Sequence, residues 1–373
     1  MRIAPFGVEL WMNAHETRCV HNLAETCVDS LTLGDMLTLV GRNADDLAAL
    51  QATRLGYGAI EGSEALRTAI ALLYARQDPE NILVAHGTIG ANALVYQALI
   101  EPGDRVVSLV PTYQQHVAIP ESLGAETLRL PLDAARGFLP DLDALAALCR
   151  PGTKLIALAN PNNPTGALID APMLAAIAAI ARRCGAWILC DEVYRGIDQH
   201  DPGTTASIAD LYEKGISTGG MSKAFSLAGL RLGWIAAPRA VRDAAMLHRD
   251  YTTISVGVLD DQVATLALAG KDRILARSRA ITRTNLSLLA EWVAREPRVS
   301  WVRPRGGTTA LLRYDLPLAS EALSLALLAE TGVLVTPGSA MDMEGHLRVG
   351  FANPAAALQA GLPKVSAFLA ARG

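Results

Sequence analysis

Between about residue 63 and residue 237, short runs of β-branched and apolar residues alternate with Ala- and Leu-rich stretches of helical period. The runs predict strands over Ile82–His86, Arg105–Leu109, Glu126–Leu130, Lys154–Ala159, Trp187–Cys190, Gly215–Thr218 and Leu232–Ala236. Helices are predicted between the early ones, near Gly90–Ile100, Leu142–Cys149 and Ala171–Cys184. The strands are apolar almost throughout rather than alternating. That pattern predicts a mostly parallel sheet covered on both faces. After Pro238 the pattern changes. A charged, helix-prone stretch from Lys271 to Glu296 reads as a connector to a smaller second domain. Strands are predicted there near Ser300–Val302, Thr309–Tyr314, Val333–Thr336 and His346–Phe351. The first forty or so residues show no clear period and are expected to be irregular and to pack back onto that domain.

Composition narrows the class. The chain has 373 residues, 51% hydrophobic and only 5% aromatic, so aliphatic side chains carry a large core. A net charge of −4 gives no electrostatic reason to expect a nucleic acid or an anionic membrane as partner. The five cysteines (Cys19, Cys27, Cys149, Cys184 and Cys190) form no CxxC pair, so free thiols in a reducing cytoplasm are expected. The N-terminal MRIAPFGVELW lacks the apolar core of a secretion signal, and no run reaches the roughly 20 residues of a membrane span.

In parallel α/β sheets, ligands gather at the carboxyl ends of the strands, and the polar signals of this chain fall there. Ile82–His86 runs into Gly87-Thr88-Ile89-Gly90. Lys154–Ala159 runs into NPNNPTG, Asn160 to Gly166. Trp187–Cys190 runs into DEVYR, Asp191 to Arg195, and Gly215–Thr218 leads to Gly219-Gly220-Met221-Ser222-Lys223. Each has an ordinary reading when taken alone: a strand–helix turn, a proline-rich turn, a helix cap, a solvated lysine. The first can also hold an anion on the free N–H groups of a helix start.

Taken together and in this order, NPNNPTG, DEVYR and SKAFSLAGLRLGW resemble the fold-type I enzymes of pyridoxal 5′-phosphate (PLP), specifically the class I/II aminotransferase family. The resemblance runs from about Tyr57 to Arg348. It implies an α/β fold with a large PLP-binding domain over residues 46–275. Residues 1–45 and 276–373 would form an N-terminal arm and a small α/β domain. It implies PLP as cofactor, an amino acid and a 2-oxo acid as substrates, and a homodimer. By resemblance Lys223 is the Schiff-base lysine and Asp191 pairs with the pyridine nitrogen. Tyr194 and Asn163 contact the ring 3-oxygen, and Tyr113 stacks on the ring. Gly87, Thr88 and Ile89 form the phosphate cradle with Arg231, and Ser222 is counted among the cofactor contacts. Tyr57, opening Y-x-x-x-x-G-x-x-x-L-R, reaches the neighbouring subunit's phosphate, and Arg348 binds the substrate α-carboxylate.

Elementary chemistry supports several of these roles. PLP acts as an electron sink while its ring nitrogen is protonated, which calls for a fixed carboxylate. A Schiff-base lysine must lose its proton, and burial with Arg231 nearby is expected to depress its pKa. Arg348 alternates with Leu347 and Val349, so it faces away from them and suits a planar anion.

The chain also departs from the family pattern. Gly220 stands where many relatives have serine, which leaves one phosphate contact open. Thr308-Thr309 follow Arg305-Gly306-Gly307 where many have an aromatic, a change expected in the substrate pocket. Glu25, in the segment Asn22–Thr26, is expected to be a solvated glutamate. The reaction implied is transamination. Carbon–sulfur lyases and capreomycidine-synthase-like cyclases use much the same constellation. A non-catalytic PLP-fold regulator would carry a DNA-binding segment ahead of the match, and no basic recognition segment is present there.

Overall fold

The computed structural model describes residues 2–372. Its centre is a seven-stranded sheet. In chain order the strands are β1 (Ile82–His86), β2 (Arg105–Val110), β3 (Glu126–Pro131), β4 (Thr153–Ala159), β5 (Trp187–Asp191), β6 (Gly215–Gly220) and β7 (Leu232–Ala236). Their order across the sheet is β1-β7-β6-β5-β4-β2-β3. The pairs among β2 to β6 are parallel, and only β7 runs antiparallel to its neighbours β6 and β1.

The apolar strands divide their side chains between two layers, as a period of two requires. Leu155 and Ala157 of β4 join Leu189, Ile216 and Ile235 under the helix Gly87–Leu99. Ile156 and Leu158 join Ile188 and Cys190 against the helix Ala171–Cys184 on the other face. That helix starts on Asp170, whose carboxylate accepts from Met173 N at 3.0 Å, and it ends at Gly185 in the left-handed region at φ 76°. A further cluster packs Ile82, Val84 and Trp234 against Ile70, Ala264 and Ile274.

The helix Lys271–Arg295 has 25 residues, about 37 Å at 1.5 Å per residue. Ile274 near its start packs with the large sheet, while Leu286, Leu289 and Trp292 pack into a cluster around Leu312, Leu347 and Phe351. That second cluster lines a four-stranded antiparallel sheet of β8 (Val299–Trp301), β9 (Thr309–Tyr314), β10 (Thr336–Pro337) and β11 (His346–Gly350), in the order β10-β11-β9-β8.

Two sequence expectations are corrected. The stretch expected as one strand over Val333–Thr336 is two short ones, because the chain changes partners. Val333–Leu334 pairs with His21–Asn22 in parallel, and Thr336–Pro337 then joins β11. The N-terminal region is not irregular, since Gly7–His15 is a helix with Val8 and Trp11 buried. Trp11 Nε1 donates to Val335 O at 2.9 Å and Gly7 N donates to Gln114 Oε1 at 2.9 Å, so the helix bridges both sheets. The 1,4-spaced pair Val8 and Met12, with Trp11 between, carried a helical signal too short to stand out. Among the described residues no helix is long and apolar enough to cross a membrane.

Candidate active site

The loops at the carboxyl ends of the sheet surround a cavity of about 520 Å³. Thr88, Ile89, Tyr113, Asn163, Asp191, Tyr194, Ser222, Lys223, Arg231 and Arg348 all line it, so all but two of the residues singled out in the sequence meet in one place. Gly87 lies at its edge. A side chain at 87 would meet the Arg231 guanidinium at 3.1 Å, so that guanidinium sits beside the helix start. Tyr57 is different. It is 85% exposed and does not reach this cavity within one chain.

Asp191 ends β5 and is held from two sides. Asn92 Nδ2 donates to its Oδ2 at 2.8 Å and Val193 N donates to its Oδ1 at 3.0 Å. Asn92 is fixed in turn by Thr218, whose Oγ1 donates to Asn92 Oδ1 at 2.6 Å. His116 Nε2 lies 3.7 Å from Asp191 Oδ2, and its other ring nitrogen contacts Tyr96 OH at 2.9 Å. Asn92 and His116 were not found from the sequence. The signal was available: Asn92 is a polar residue on the buried side of an otherwise apolar helix, one turn after Thr88.

The NPNNPTG loop is braced so that Asn163 faces the cavity. Asn160 exchanges two hydrogen bonds of 2.9 Å with the backbone of Ile169, and Asn162 Nδ2 donates to Pro111 O at 3.1 Å. Gly166, at φ 68°, lets the chain pass Pro304 at a distance no side chain would allow. Within DEVYR, Glu192 and Arg195 are structural. Ser207 Oγ and Ile208 N each donate to Glu192 at 2.9 Å, and Arg195 donates to Thr205 O and Leu73 O at 2.9 and 2.8 Å.

Lys223 Nζ donates to Thr26 Oγ1 at 2.6 Å and lies 3.2 Å from Cys27 Sγ. The expectation of a depressed lysine pKa is overturned for the protein without cofactor. Burial does pull it down, but Tyr194, Cys27 and Glu25 raise it further, and the net shift is upward.

Glu25 is also not a solvated glutamate. The segment carrying it is threaded between the cavity and the small sheet. Leu23 N donates to Leu334 O at 2.9 Å, Gly350 N donates to Leu23 O at 2.7 Å, and Thr308 Oγ1 donates to Thr26 O at 2.7 Å. Burial pushes the Glu25 carboxyl up, but Lys223 and the N–H groups of Cys27 and Thr26, at 2.6 and 2.7 Å, hold it below its ordinary value. Thr308 and Thr309 do not line the pocket. Thr308 acts on it through the bond that fixes Thr26.

Arg348 is 2% exposed. It donates to Asn163 Oδ1 and Thr336 Oγ1 at 3.2 Å each and to Ala24 O at 3.4 Å, and its Nε has no partner. Among the described ion pairs none involves Arg348. Burial lowers its pKa, with Tyr194, Tyr113, Glu9 and Glu25 opposing the fall. The guanidinium is thus buried with only neutral oxygens as hydrogen-bond partners among those described.

The fit to PLP can be tested on these groups. Thr88 Oγ1 is buried without a partner at the start of the helix Gly87–Leu99, where the first N–H groups are free. Arg231 and Ser222 stand beside it, with Arg231 Nη1 donating to Ser222 Oγ at 3.4 Å. A phosphate satisfies this set, Asp191 suits a protonated ring nitrogen, and Lys223 suits an aldehyde carbon. The departure at Gly220 has a physical reason as well: a side chain there would overlap the Thr88 hydroxyl. Thr88 fills the space that a serine at 220 would need. Gly220→Ser is therefore expected to cost about 1–3 kcal/mol of stability by overpacking. Thr88→Ala in the same chain should recover most of it, read as thermal midpoints in a double-mutant cycle.

The comparisons with known proteins agree with this geometry. A crystal structure of a PLP-dependent aminotransferase from Streptococcus suis matches with a TM-score of 0.96 and 44% identity, covering 100% of this chain and 99% of that one. The PLP-dependent cyclase OrfR matches with a TM-score of 0.93 and 31% identity, covering 100% of this chain and 99% of its own. Capreomycidine synthase from Streptomyces vinaceus is 30% identical over 365 residues, 96% of this chain and 92% of that protein. The family model described as aminotransferase class I and II matches residues 28–360. The chain belongs to the class I and II aminotransferase family, whose cofactor is pyridoxal 5′-phosphate.

Proposed function

We propose that this protein is an aminotransferase that moves an amino group from an amino acid to a 2-oxo acid, with Lys223 as the residue that holds the cofactor and shuttles the proton. The observation that carries the reading is Arg348, a buried cation without a carboxylate partner in the same cavity as Lys223 and Asp191. It orients an α-carboxylate bidentately and so presents the Cα–H bond to Lys223. PLP, when bound, supplies the electron sink for the pair released at Cα.

The chain's own groups do the rest. Asp191 keeps the ring nitrogen protonated, and Asn92 and the Val193 N–H fix its two oxygens. Tyr194 and Asn163 would hold the ring 3-oxygen, and Tyr113, its hydroxyl pinned to Glu9 Oε1 at 2.7 Å, would stack on the ring. Gly87, Thr88, Ile89, Ser222 and Arg231 hold the phosphate. Lys223 would take the Cα proton as general base. The proposal includes a homodimer, supported by the exposure of Tyr57 beside Leu55, which is 78% exposed. It also includes a cytoplasmic setting, supported by five free cysteines.

A second reading, cyclisation or elimination on the same scaffold, is favoured by the resemblance to OrfR and capreomycidine synthase. Holoenzyme incubated with a panel of amino acids, with and without pyruvate or 2-oxoglutarate, separates the two. Transamination predicts a new amino acid that forms only when the 2-oxo acid is present. Acceptor-independent release of ammonia, or a cyclised product, would overturn it.

A further inference from the structure

Once the cofactor and the α-carboxylate are assigned their partners, charge in the cavity does not balance. Its cations are Lys223, Arg231 and Arg348, and its carboxylates are Asp191, Glu9, Glu16 and Glu25. On the reading above, Arg231 serves the phosphate, Asp191 the ring nitrogen, Lys223 the cofactor and Arg348 the α-carboxylate. Glu9 and Glu25 are left over as half-buried carboxylates, and Glu16 as an exposed one. None of the three takes part in an ion pair among those described, and no further lysine or arginine lines the cavity.

The three carboxylates occupy one wall. Val8, Glu9, Met12 and Glu16 all face the cavity from the helix Gly7–His15 and the turn after it, a spacing that puts them on one helix face. Glu25 joins them from the neighbouring segment. Glu9 accepts from Tyr113 OH through Oε1, and Glu25 accepts from two backbone N–H groups through Oε1. Glu9 Oε2 receives no hydrogen bond from the protein among those described, whereas the Glu25 carboxyl is also hydrogen-bonded by the Cys27 side chain. The wall thus offers apolar Val8 and Met12 beside carboxylate oxygens, the complement of a side chain with an aliphatic stem and a cationic head. An independent feature marks the same cavity as a ligand site: Arg348 is 2% exposed, its Nε is unpartnered, and it faces the same space.

We infer that the amino-acid substrate carries a cationic side chain, a guanidinium or an ammonium, which is held by the half-buried Glu9 and Glu25. The inference rests on the reading of Arg348 as the α-carboxylate anchor. A second carboxylate on the substrate would meet like charge on this wall, and a purely apolar side chain would leave the half-buried Glu9 and Glu25 unpaired.

The test is a spectral titration of holoenzyme with L-arginine, L-lysine, L-norleucine and L-glutamate, following the cofactor's visible band. Arginine or lysine should bind at least tenfold more tightly than norleucine and glutamate, and the margin should shrink at high ionic strength. In Glu9→Gln and Glu25→Gln, each nearly isosteric, the ratio of basic to norleucine affinity should fall about tenfold. Equal or tighter binding of norleucine or glutamate would overturn the inference while leaving the aminotransferase reading intact. No spectral response to arginine or lysine would overturn the inference, while the acceptor-dependence experiment above decides the aminotransferase reading separately. A preference for basic amino acids that is unchanged in both variants would show that this wall does not read the side chain, and would also overturn it.

Discussion

Lys223→Ala is expected to lose both the yellow colour of the holoenzyme and turnover, the latter by at least about 10⁴-fold. A positioned general base alone contributes about 10²–10⁴-fold, and this side chain also holds the cofactor's reactive carbon. No neighbour can take over. Thr26 and Cys27 are the groups its amine contacts, at 2.6 and 3.2 Å. A hydroxyl cannot form the link, and burial holds the Cys27 thiol above its ordinary pKa. The measurements are the visible spectrum after incubation with PLP and steady-state turnover. The fold should be unaffected, because the lysine ends in a cavity rather than in the core.

Arg348→Ala is expected to lower kcat/KM by about 10²–10⁴-fold. Two charge-assisted hydrogen bonds to a carboxylate contribute roughly 1.5–3 kcal/mol each, and each 1.4 kcal/mol is a factor of ten. Arg348→Lys should recover only part of the loss, since an ammonium cannot match both carboxylate oxygens. Stability should move the other way or not at all. In the unliganded protein Arg348 is a buried cation among neutral oxygens, so Arg348→Met should leave the thermal midpoint unchanged or raised. A large fall in midpoint would assign Arg348 to the fold rather than to the substrate.

The large sheet is legible in the sequence because its strands are short, apolar and separated by turn-forming residues. Ile82–His86 and Leu232–Ala236 carry the same bounds in structure and in sequence reading. Lys223, Asp191 and Asn163 are legible for a related reason. Asp191 ends a strand, and Lys223 and Asn163 follow theirs within a short loop, so a short motif places each at the carboxyl edge. What stays hidden is brought together by packing across long stretches of chain. Lys223 meets Thr26 across 197 residues, and Tyr113 meets Glu9 across 104. No local spacing reports such an approach. The helix Gly7–His15, too short for its period to stand out, therefore conceals a wall of the pocket. The upward shift of the lysine pKa comes first from Tyr194, a residue the motif had placed in the site, and then from Cys27 and Glu25, which are distant in sequence.

The most direct test of the account is to reduce holoenzyme with borohydride, which makes a lysine–cofactor link permanent, and to map the labelled peptide by mass spectrometry. The chain has five lysines: Lys154, Lys214, Lys223, Lys271 and Lys364. The account predicts one cofactor adduct per chain, on Lys223. An adduct on any of the other four, or none at all, would contradict it.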